Sequence, residues 1–477
     1  MIFSSPTFIC LFLPLVLGLY LLLPKTLNNI VLVVASLVFY AWGDPIAALL
    51  LIIPSIGINF QLGKLIDAAS GARRRRLIVA AVAFNLAILI VFKYSQFIIS
   101  NLNALLGTVS DLAIPKPDIT LPLGISFFTF HTISYLVDVY RGLFRAQPSL
   151  AAYTLYIVNF PQLIAGPIIR YRQMVDQLGA RSVAFGDIEY GVLRFTAGLG
   201  KKLLLADPIG QIADTVFALP AAELGVGAAW LGVTSYALQI YFDFSGYSDM
   251  AIGLARMFGF RFPENFNYPY AATSIQDFWR RWHMTLSAWF RDYVYIPLGG
   301  NRFGPWATAR NLWIVFFLTG AWHGASWSFI IWGLWHGMFL ALERLAPVQR
   351  GLAAVPAFVR IGYTLLVVLI GWVFFRSPNL GSAFELLRCM FGLNPAIAEP
   401  IAVFDLVTAQ TLVLIAISAC LAFPVWSLAR TLWWEAFERR SEILGDIGRA
   451  GFVVSVLVPS FATMVSQQTI SFLYFRF

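Results

Sequence analysis

One run of about thirty residues without Asp, Glu, Lys or Arg, from Leu312 to Leu342, constrains how this chain can fold. At about 1.5 Å per residue, an unbroken helix of that length would exceed the hydrocarbon core of a membrane, which is about 30 Å thick. We therefore expect the run to break, and Gly320 and Gly324 mark the place. His323 lies between these glycines, beside irregular backbone that membrane proteins tolerate only where protein buries it or a water-filled cavity receives it. An ionisable side chain in such a place predicts a functional site.

The composition places the chain in a membrane. Hydrophobic residues make up 59% and charged residues only 12%, with a mean hydropathy of +0.76, whereas soluble proteins carry roughly 25% charged residues. Charge-free stretches recur along the whole chain. We expect an all-α, polytopic membrane protein with about ten to twelve spans or half-spans. They would form a single domain, residues 1–477, with a core motif region at about 121–345.

Basic residues between the first spans predict the orientation. Lys25 follows the first apolar stretch, Lys64 and the run Arg73–Arg76 follow the third, and the turn after the second has no basic residue. By the positive-inside rule, both basic loops face the cytoplasm and the N-terminus lies outside. The first stretch, Met1–Pro24, has neither a basic n-region nor a small-residue cleavage site. It is therefore interpreted as a retained span and not as a signal peptide.

Composition and spacing argue against several other functions. The net charge of +9 largely reflects the basic loops, and no basic patch interleaved with aromatic residues argues for nucleic acid. Cys10, Cys389 and Cys420 are scattered through apolar contexts, without the spacing of a disulfide framework or a metal site. The four histidines lack HExxH-type spacing, so no bound metal is expected.

Polar chemistry is concentrated in the segment Tyr241–Arg302, where aromatic and charged residues are dense. Within Asp277–Arg291, aromatic residues recur at helical spacing with charged residues opposite them. This pattern predicts one amphipathic helix that lies along the membrane interface. His283 falls on its tryptophan-rich face with Trp279 and Trp282, where it either packs or belongs to a site.

Two acidic residues in this region need partners. Asp243 and Asp249 each cost roughly 2.5 to 3.5 kcal/mol if they lie centrally in a membrane. Each must therefore be paired, face a cavity or lie near an interface. The favoured interpretation is a structural ion pair with Arg256, Arg280 or Arg281.

Other polar residues have plain structural explanations. His336 follows His323 by thirteen residues, so the two cannot share a helix face unless the backbone bends. His131 more often packs or lines a pocket than performs chemistry. The loop Ile296–Arg302 could present N–H groups and the Arg302 guanidinium to a phosphate, but its Gly-Gly-Asn sequence is also ordinary turn chemistry.

Five ordered motifs resemble the membrane-bound O-acyltransferases (MBOATs), and within them the bacterial branch that acetylates alginate. The motifs are FPQLIAGPI (Phe160–Ile168), YFDFSGYSDMAIG (Tyr241–Gly253), FPENFNYPY (Phe262–Tyr270), the segment Phe278–Arg302, and WHGASW (Trp322–Trp327). The resemblance extends over essentially the whole chain, including the closing FLYFRF (Phe472–Phe477).

This resemblance implies a fold and a site. The fold would be a ring of about 10–12 transmembrane helices, with re-entrant or interfacial helices around a central tunnel. The family's invariant histidine corresponds to His323, which would act as general base, and its second active-site position corresponds to His283. Candidate substrate-binding residues are Trp279, Trp282, Trp322, Asp243 and Arg302. Cytosolic acetyl-CoA would be the acyl donor, with no bound cofactor.

Three functions remain open at this point. The first is transfer of acetyl across the bacterial inner membrane to hydroxyls of an extracytoplasmic polysaccharide, with a periplasmic SGNH-type partner protein. The second is the same chemistry on peptidoglycan or teichoic acid. The third is a proton-coupled transporter with an Asp/His relay, although no repeated pair of broken helices supports it.

Overall fold

The computed structural model describes residues 1–42, 45–109, 113–119, 121–179, 181–393, 401, 403–425, 442–466 and 472–473. These residues fold into helices and contain no β-strand, so the predicted all-α, polytopic class is confirmed. Of the closing segment Phe472–Phe477, only Phe472 and Leu473 lie within the described residues.

Most helices are short relative to the chain, and two of those described exceed thirty residues. In chain order the α-helices are α1 (Leu13–Leu22), α2 (Asn28–Ala41), α3 (Pro45–Ala68), α4 (Gly71–Leu106), α5 (Ile125–Tyr140), α6 (Leu150–Val158), α7 (Phe160–Leu163), α8 (Tyr171–Met174), α9 (Phe185–Gly200), α10 (Asp207–Ala218), α11 (Val226–Met257), α12 (Ile275–Arg281), α13 (Met284–Phe290), α14 (Gly304–His323), α15 (Trp327–Leu342), α16 (Ala346–Ala354), α17 (Ala357–Arg376), α18 (Leu380–Met390), α19 (Val403–Leu406), α20 (Ala409–Leu421) and α21 (Glu442–Ser466). Turns of π-helix occupy Phe8–Phe12, Lys201–Ala206 and Arg291–Tyr295.

Among the described residues, four helices are long and apolar enough to cross a membrane. They are Leu49–Ala68 within α3, all of α4, all of α17, and Ile443–Ser466 within α21. Shorter apolar helices are Phe8–Leu22, Lys25–Ala41, α15 and α20. The alternation of long and short helices agrees with a polytopic membrane protein.

The chain divides into two compact units. The first contains Met1–Val192 and Ala251–Pro263, and the second contains Leu193–Met250 and Glu264–Phe477. Two of the three unit boundaries fall inside α9 and α11, and the third lies between Pro263 and Glu264. The single domain expected for residues 1–477 stays a prediction.

In the first unit, α4 corrects one detail of the sequence analysis. The basic run Arg73–Arg76 forms the first turns of α4, which begins at Gly71, and is not a loop. A guanidinium N–H of Arg74 donates to the carbonyl of Val139 at 2.8 Å, so part of this run is anchored to protein. The helix continues through the run because arginine is a good helix former.

His131 is fully buried in the first unit. Its ring lies 5.6 Å from the ring of Tyr156, and its Nε2 faces the N–H of Ile169 at 3.4 Å. These contacts agree with the expectation that His131 packs or lines a pocket.

The second unit is built around a close helical hairpin of α14 and α15. A Cβ atom at Gly333 would collide with the carbonyl oxygen of Phe316, and one at Gly320 would collide with that of Phe329. These collisions show that the two backbones touch, which only glycine permits. The hairpin turns at Gly324, directly after His323, so the expected break in the charge-free run is confirmed.

The predicted amphipathic helix Asp277–Arg291 is wrong as a single element. The chain forms α12, then breaks at Trp282 and His283, and resumes as α13. His283 adopts the left-handed conformation with φ of 42°. The physical reason is a remote hydrogen bond, because the N–H of Met284 donates to the carbonyl of Asn265 at 2.9 Å instead of continuing the α12 ladder.

Candidate active site

His323 lies at the tip of the hairpin, at the C-terminal end of α14. Its imidazole is buried among aromatic rings, with ring centroids 4.9 Å from Trp332 and 5.2 Å from Phe375. Arg310 lies thirteen residues earlier on the same helix, which places His323 about 20 Å from that charge along the axis. The glycine-packed hairpin therefore holds a buried histidine thirteen helical residues away from that charge.

His283 lies at the break between α12 and α13 and has no exposed surface. Phe244 packs edge-on against its ring at 4.7 Å, and the ring of Trp322 lies 6.3 Å away. Trp322 also neighbours His323, with ring centroids 4.9 Å apart. One indole therefore contacts both histidines that the sequence analysis selected.

Asn265 fixes the orientation of His283. Its side-chain oxygen faces Nδ1 of His283 at 3.1 Å and also accepts the N–H of Thr285 at 3.3 Å and the Thr285 hydroxyl at 2.9 Å. Its amide nitrogen donates to the hydroxyl of Ser248 at 3.1 Å. Asn265 has no exposed surface, so this network lies inside the protein.

The same network assigns the tautomer of the imidazole. A backbone N–H can only donate, so the bond from Thr285 identifies the facing atom of Asn265 as its oxygen. His283 Nδ1 must then carry the proton and donate to Asn265. Its Nε2 is left as an acceptor, and among the described residues that atom has no hydrogen-bond partner. Burial lowers the pKa of His283 to about 3, which keeps the ring neutral at physiological pH.

A narrow, mostly apolar cavity adjoins His323. Its aromatic walls are Phe244, Trp282, Trp332, Trp372 and Phe375, and its polar residues are His323 and Asp243. Phe472 and Leu473 line it as well, and the Leu473 N–H donates to Oδ2 of Asp243 at 2.7 Å. An imidazole beside such an apolar space could serve acyl transfer, because little water would compete there.

Asp243 is paired, but not with the arginines that the sequence analysis favoured. Its Oδ1 lies 2.8 Å from Nζ of Lys202, which also contacts Asp207 at 2.6 Å. All three side chains are buried, and their mutual pairing offsets the cost of removing these charges from water. Lys202 lies in the π-helical turn Lys201–Ala206, a type of distortion that is frequent at functional sites.

Asp249 has its own partners. It accepts from Arg194 at 2.9 Å and from Lys201 at 2.7 Å, and Arg194 also binds Glu264 at 2.6 Å. The expected pairing with Arg256, Arg280 or Arg281 is therefore wrong for both aspartates, since Arg256 binds Asp187 and Arg281 binds Asp277. The adjacent lysines 201 and 202 divide between the two aspartates of α11.

Of the remaining residues predicted to bind substrate, one lines the cavity and two do not. Trp282 lines the cavity. Trp279 packs 5.0 Å from Phe316 and does not line it. Arg302 is exposed in the turn before α14 and does not line it either. No cluster of three or more His, Cys, Asp or Glu that could hold a metal ion occurs in the described part of the chain.

Sequence reasoning missed Lys202, Asn265 and Trp332. Asn265 belongs to a motif that was recognised, FPENFNYPY, but nothing local in that motif indicates that it binds His283. Lys202 could have been found, because a lysine in an apolar stretch needs a partner as much as Asp243 does. Trp332 is one of several tryptophans after His323, and the pattern does not distinguish them.

A second, polar cleft lies at the other end of α12. It is lined by Thr273, Ser274, Gln276, Glu343, Arg344, Gln349 and Arg360, among others. The Glu343 carboxylate accepts the N–H groups of Ile275 and Gln276 at 2.7 and 3.0 Å and so caps α12. The buried Nε of Arg360 has no hydrogen-bond partner among the described residues. A guanidinium N–H that is not used within the protein, in a polar cleft, is suited to bind an anionic ligand.

Comparison with known proteins assigns the family. The model of the membrane-bound O-acyltransferase family matches residues 140–375. A probable alginate O-acetylase of Azotobacter vinelandii is 45% identical over 397 residues, which cover 83% of this chain and 79% of the relative. This chain belongs to the membrane-bound O-acyltransferase family.

More distant MBOAT relatives carry other names. The peptidoglycan O-acetyltransferase of Helicobacter pylori is 37% identical over 429 residues, 83% of this chain and 80% of that protein. The teichoic acid D-alanyltransferase of Bacillus subtilis is 35% identical over 237 residues, which cover 46% of this chain and 58% of that protein. The chain is thus an acyltransferase enzyme of the membrane, and both His283 and His323 lie inside the matched MBOAT region.

Proposed function

We propose that this MBOAT transfers acetyl from acetyl-CoA to hydroxyl groups of an extracytoplasmic polysaccharide of the alginate type. The observation that carries the proposal is His323, a buried imidazole at a hairpin tip that lines an aromatic cavity. The similarity to probable alginate O-acetylases, which covers 79% of the Azotobacter relative, favours this acceptor.

The chemistry requires a base and a dry site. A sugar hydroxyl is a poor nucleophile toward a thioester, so its proton must be removed as its oxygen attacks the carbonyl carbon. His323 would accept this proton. When the tetrahedral intermediate collapses, the C–S bond breaks and the thiolate of CoA takes a proton from the imidazolium. The oxygen ester and CoA thiol are the products, and the histidine returns to its neutral form.

The polar cleft provides a place for the anionic groups of the donor. Arg344 and Arg360 line it, at the N-terminal end of α12. The break that carries His283 lies at the other end of α12, whose seven residues span about 10 Å at helical rise. The extended pantetheine arm of acetyl-CoA can cover such a distance. We therefore infer that acetyl-CoA is a substrate held by the cleft. The proposed reaction uses it as the acyl donor and involves no bound cofactor.

The hairpin also suggests an orientation. Arg310 and Arg344 both lie at its base, because α14 leads away from that side and α15 returns to it. By the positive-inside rule this base faces the cytoplasm of the bacterial inner membrane. The basic residues after the first and third apolar stretches, taken by the same rule, separately predict a periplasmic N-terminus. The family's central tunnel would let donor and acceptor approach from opposite sides.

Acetyl would reach the polysaccharide with a periplasmic SGNH-type partner protein. The 37% identity to a peptidoglycan O-acetyltransferase supports the alternative acceptor, peptidoglycan. Family membership favours an enzyme over the transporter considered at first.

A deletion strain complemented with variants tests the proposal. We expect His323→Ala to lower polysaccharide acetylation by roughly 10²- to 10⁴-fold, the range for loss of a general base. The matched control is His336→Gln, which alters another buried histidine of the same hairpin and should retain acetylation. Normal acetylation by well-expressed His323→Ala would contradict the base assignment. Loss of peptidoglycan acetyl groups with an unchanged polysaccharide would transfer the proposal to the alternative acceptor.

A further inference from the structure

Trp332 and Trp372 both line the cavity, but only one of their indole N–H groups has a hydrogen-bond acceptor among the described residues. Trp372 has an acceptor, because its N–H donates to the Tyr270 hydroxyl at 3.2 Å. That hydroxyl in turn donates to the carbonyl of Ala237 at 2.6 Å. Trp332 also lines the cavity and has no exposed surface, yet its N–H has no acceptor among the described residues.

A buried donor without an acceptor needs an explanation. Most buried polar groups are hydrogen-bonded, because leaving one without a partner lowers the stability of the fold. An unpaired buried donor therefore often has a functional reason. Trp332 lies next to the proposed base, its ring perpendicular to that of His323 with centroids 4.9 Å apart. The unpaired N–H and the base therefore belong to the same cavity.

The reaction needs such a donor. When a hydroxyl oxygen attacks the thioester carbon, the carbonyl π electrons move onto oxygen, and the resulting oxyanion must be stabilised by preorganised donors. Neutral His283 does not meet this need, because its proton is on Nδ1 and points to Asn265. An indole N–H is a donor only and does not titrate, so it is available at every pH.

We propose that Trp332 is a catalytic residue that donates its indole N–H to the oxyanion of the tetrahedral intermediate. This inference rests on the acetyltransferase function proposed above. Trp332 transfers no proton. The hydroxyl proton goes to His323, the electron pair returns from the oxyanion to re-form the carbonyl, and the C–S pair leaves with the thiolate, which is then protonated by His323.

Membrane vesicles from the producing strain test the proposal, since they retain any partner protein. Inverted vesicles from a deletion strain complemented with each variant receive radiolabelled acetyl-CoA, and acetyl incorporated into polymer is measured per amount of enzyme. Trp332→Phe keeps an aromatic ring but removes the N–H. We expect its maximal rate to fall roughly 10²- to 10³-fold, with little change in the KM for acetyl-CoA.

The matched control is Trp335→Phe. Trp335 lies one turn further along α15 and its N–H donates to the carbonyl of Val367 at 2.9 Å, outside the cavity. This variant also loses an indole hydrogen bond but should keep the wild-type rate. If Trp332→Phe fails to accumulate, β-(3-benzothienyl)alanine at position 332 replaces the N–H by sulfur in a ring of the same shape.

The outcomes separate the inference from the proposed function. Wild-type vesicles without incorporation that depends on His323 would overturn the proposed function itself. If wild type is active and either position-332 variant retains more than a third of its rate, Trp332 is not the oxyanion donor. Equal loss in Trp332→Phe and Trp335→Phe would also reject it, because the effect would then come from packing. A loss confined to position 332 supports the proposal.

Discussion

At the scale of single residues, the site depends on how two imidazoles are held. His323 is positioned by its own helix and the ring of Trp332 against it. His283 lies between two helices and is positioned by a remote segment, because Asn265 binds its Nδ1 and the neighbouring backbone. A left-handed residue other than glycine is sterically unfavourable and persists only where its surroundings require it. Here the surroundings are the side chain and backbone of Asn265.

Replacement of Asn265 tests this arrangement. Asn265→Ala removes the acceptor for Nδ1–H, so the ring can adopt the other tautomer and Nε2 is no longer fixed as an acceptor. We expect activity to fall roughly ten- to a hundredfold, as for other groups that orient a functional histidine. Nitrogen-15 NMR of labelled histidine should show a mixed tautomer population in the variant and Nδ1–H in the wild type.

Thr285→Val is the control for this experiment. It removes the hydroxyl bond to Asn265 but leaves the Thr285 N–H that orients the amide. Its tautomer and activity should therefore stay close to wild type. An unchanged histidine spectrum in Asn265→Ala would show that Asn265 does not set the tautomer.

At the scale of elements, the α14–α15 hairpin determines where His323 lies. Its backbones touch because Gly320 and Gly333 have no Cβ. Membrane helices associate through such close contacts, since lipid chains give no hydrophobic incentive to bury apolar side chains. A larger residue at the contact would separate the helices and displace the tip.

Gly333→Ala tests the element. The added Cβ would collide with the carbonyl of Phe316, and backbone cannot move as easily as a flexible side chain. We expect a loss of about 1–3 kcal/mol in stability, typical of overpacking, together with lower activity. The measurement is thermal unfolding of the detergent-purified protein alongside acetyl transfer.

Gly351→Ala, on α16, is the matched substitution. No atom lies within 4 Å of a Cβ built there, so the change should be neutral or slightly stabilising through helix propensity. If Gly333→Ala melts at the wild-type temperature with full activity, the hairpin does not depend on glycine contact.

At the scale of the whole molecule, the distribution of charge should set the side from which the donor enters. The polar cleft, with Arg344 and Arg360, lies at the base of the hairpin that carries His323 at its tip. The positive-inside rule then predicts that the cleft is cytoplasmic.

A single cysteine at Gln349 tests the side and the ligand together. In a background lacking Cys10, Cys389 and Cys420, Gln349→Cys should resist a membrane-impermeant thiol reagent in intact cells and react in inverted vesicles. Acetyl-CoA should slow that reaction, because Gln349 lines the cleft. Labelling in intact cells would reverse the orientation, and equal rates with and without acetyl-CoA would remove the donor from the cleft.

The sequence by itself determined the class of the protein and the position of the histidine that we propose as its base. Hydrophobic content established a polytopic helical membrane protein, since soluble proteins carry roughly 25% charged residues and this chain only 12%. The length of the charge-free run required a break, and two glycines placed it beside His323. Five ordered motifs were enough to identify the family.

Only the tertiary structure decided how the site is assembled. Helical periodicity predicted one helix through His283, because it records which residues share a face and not which remote backbone competes for a hydrogen bond. The bond from Met284 to Asn265 breaks that helix. Asp243 required a cation, but the choice of Lys202 depends on a π-helical turn in another element. Nothing in the sequence shows which indole N–H, that of Trp332 or that of Trp372, will have an acceptor. The fold decides this, because it brings the Tyr270 hydroxyl within reach of Trp372.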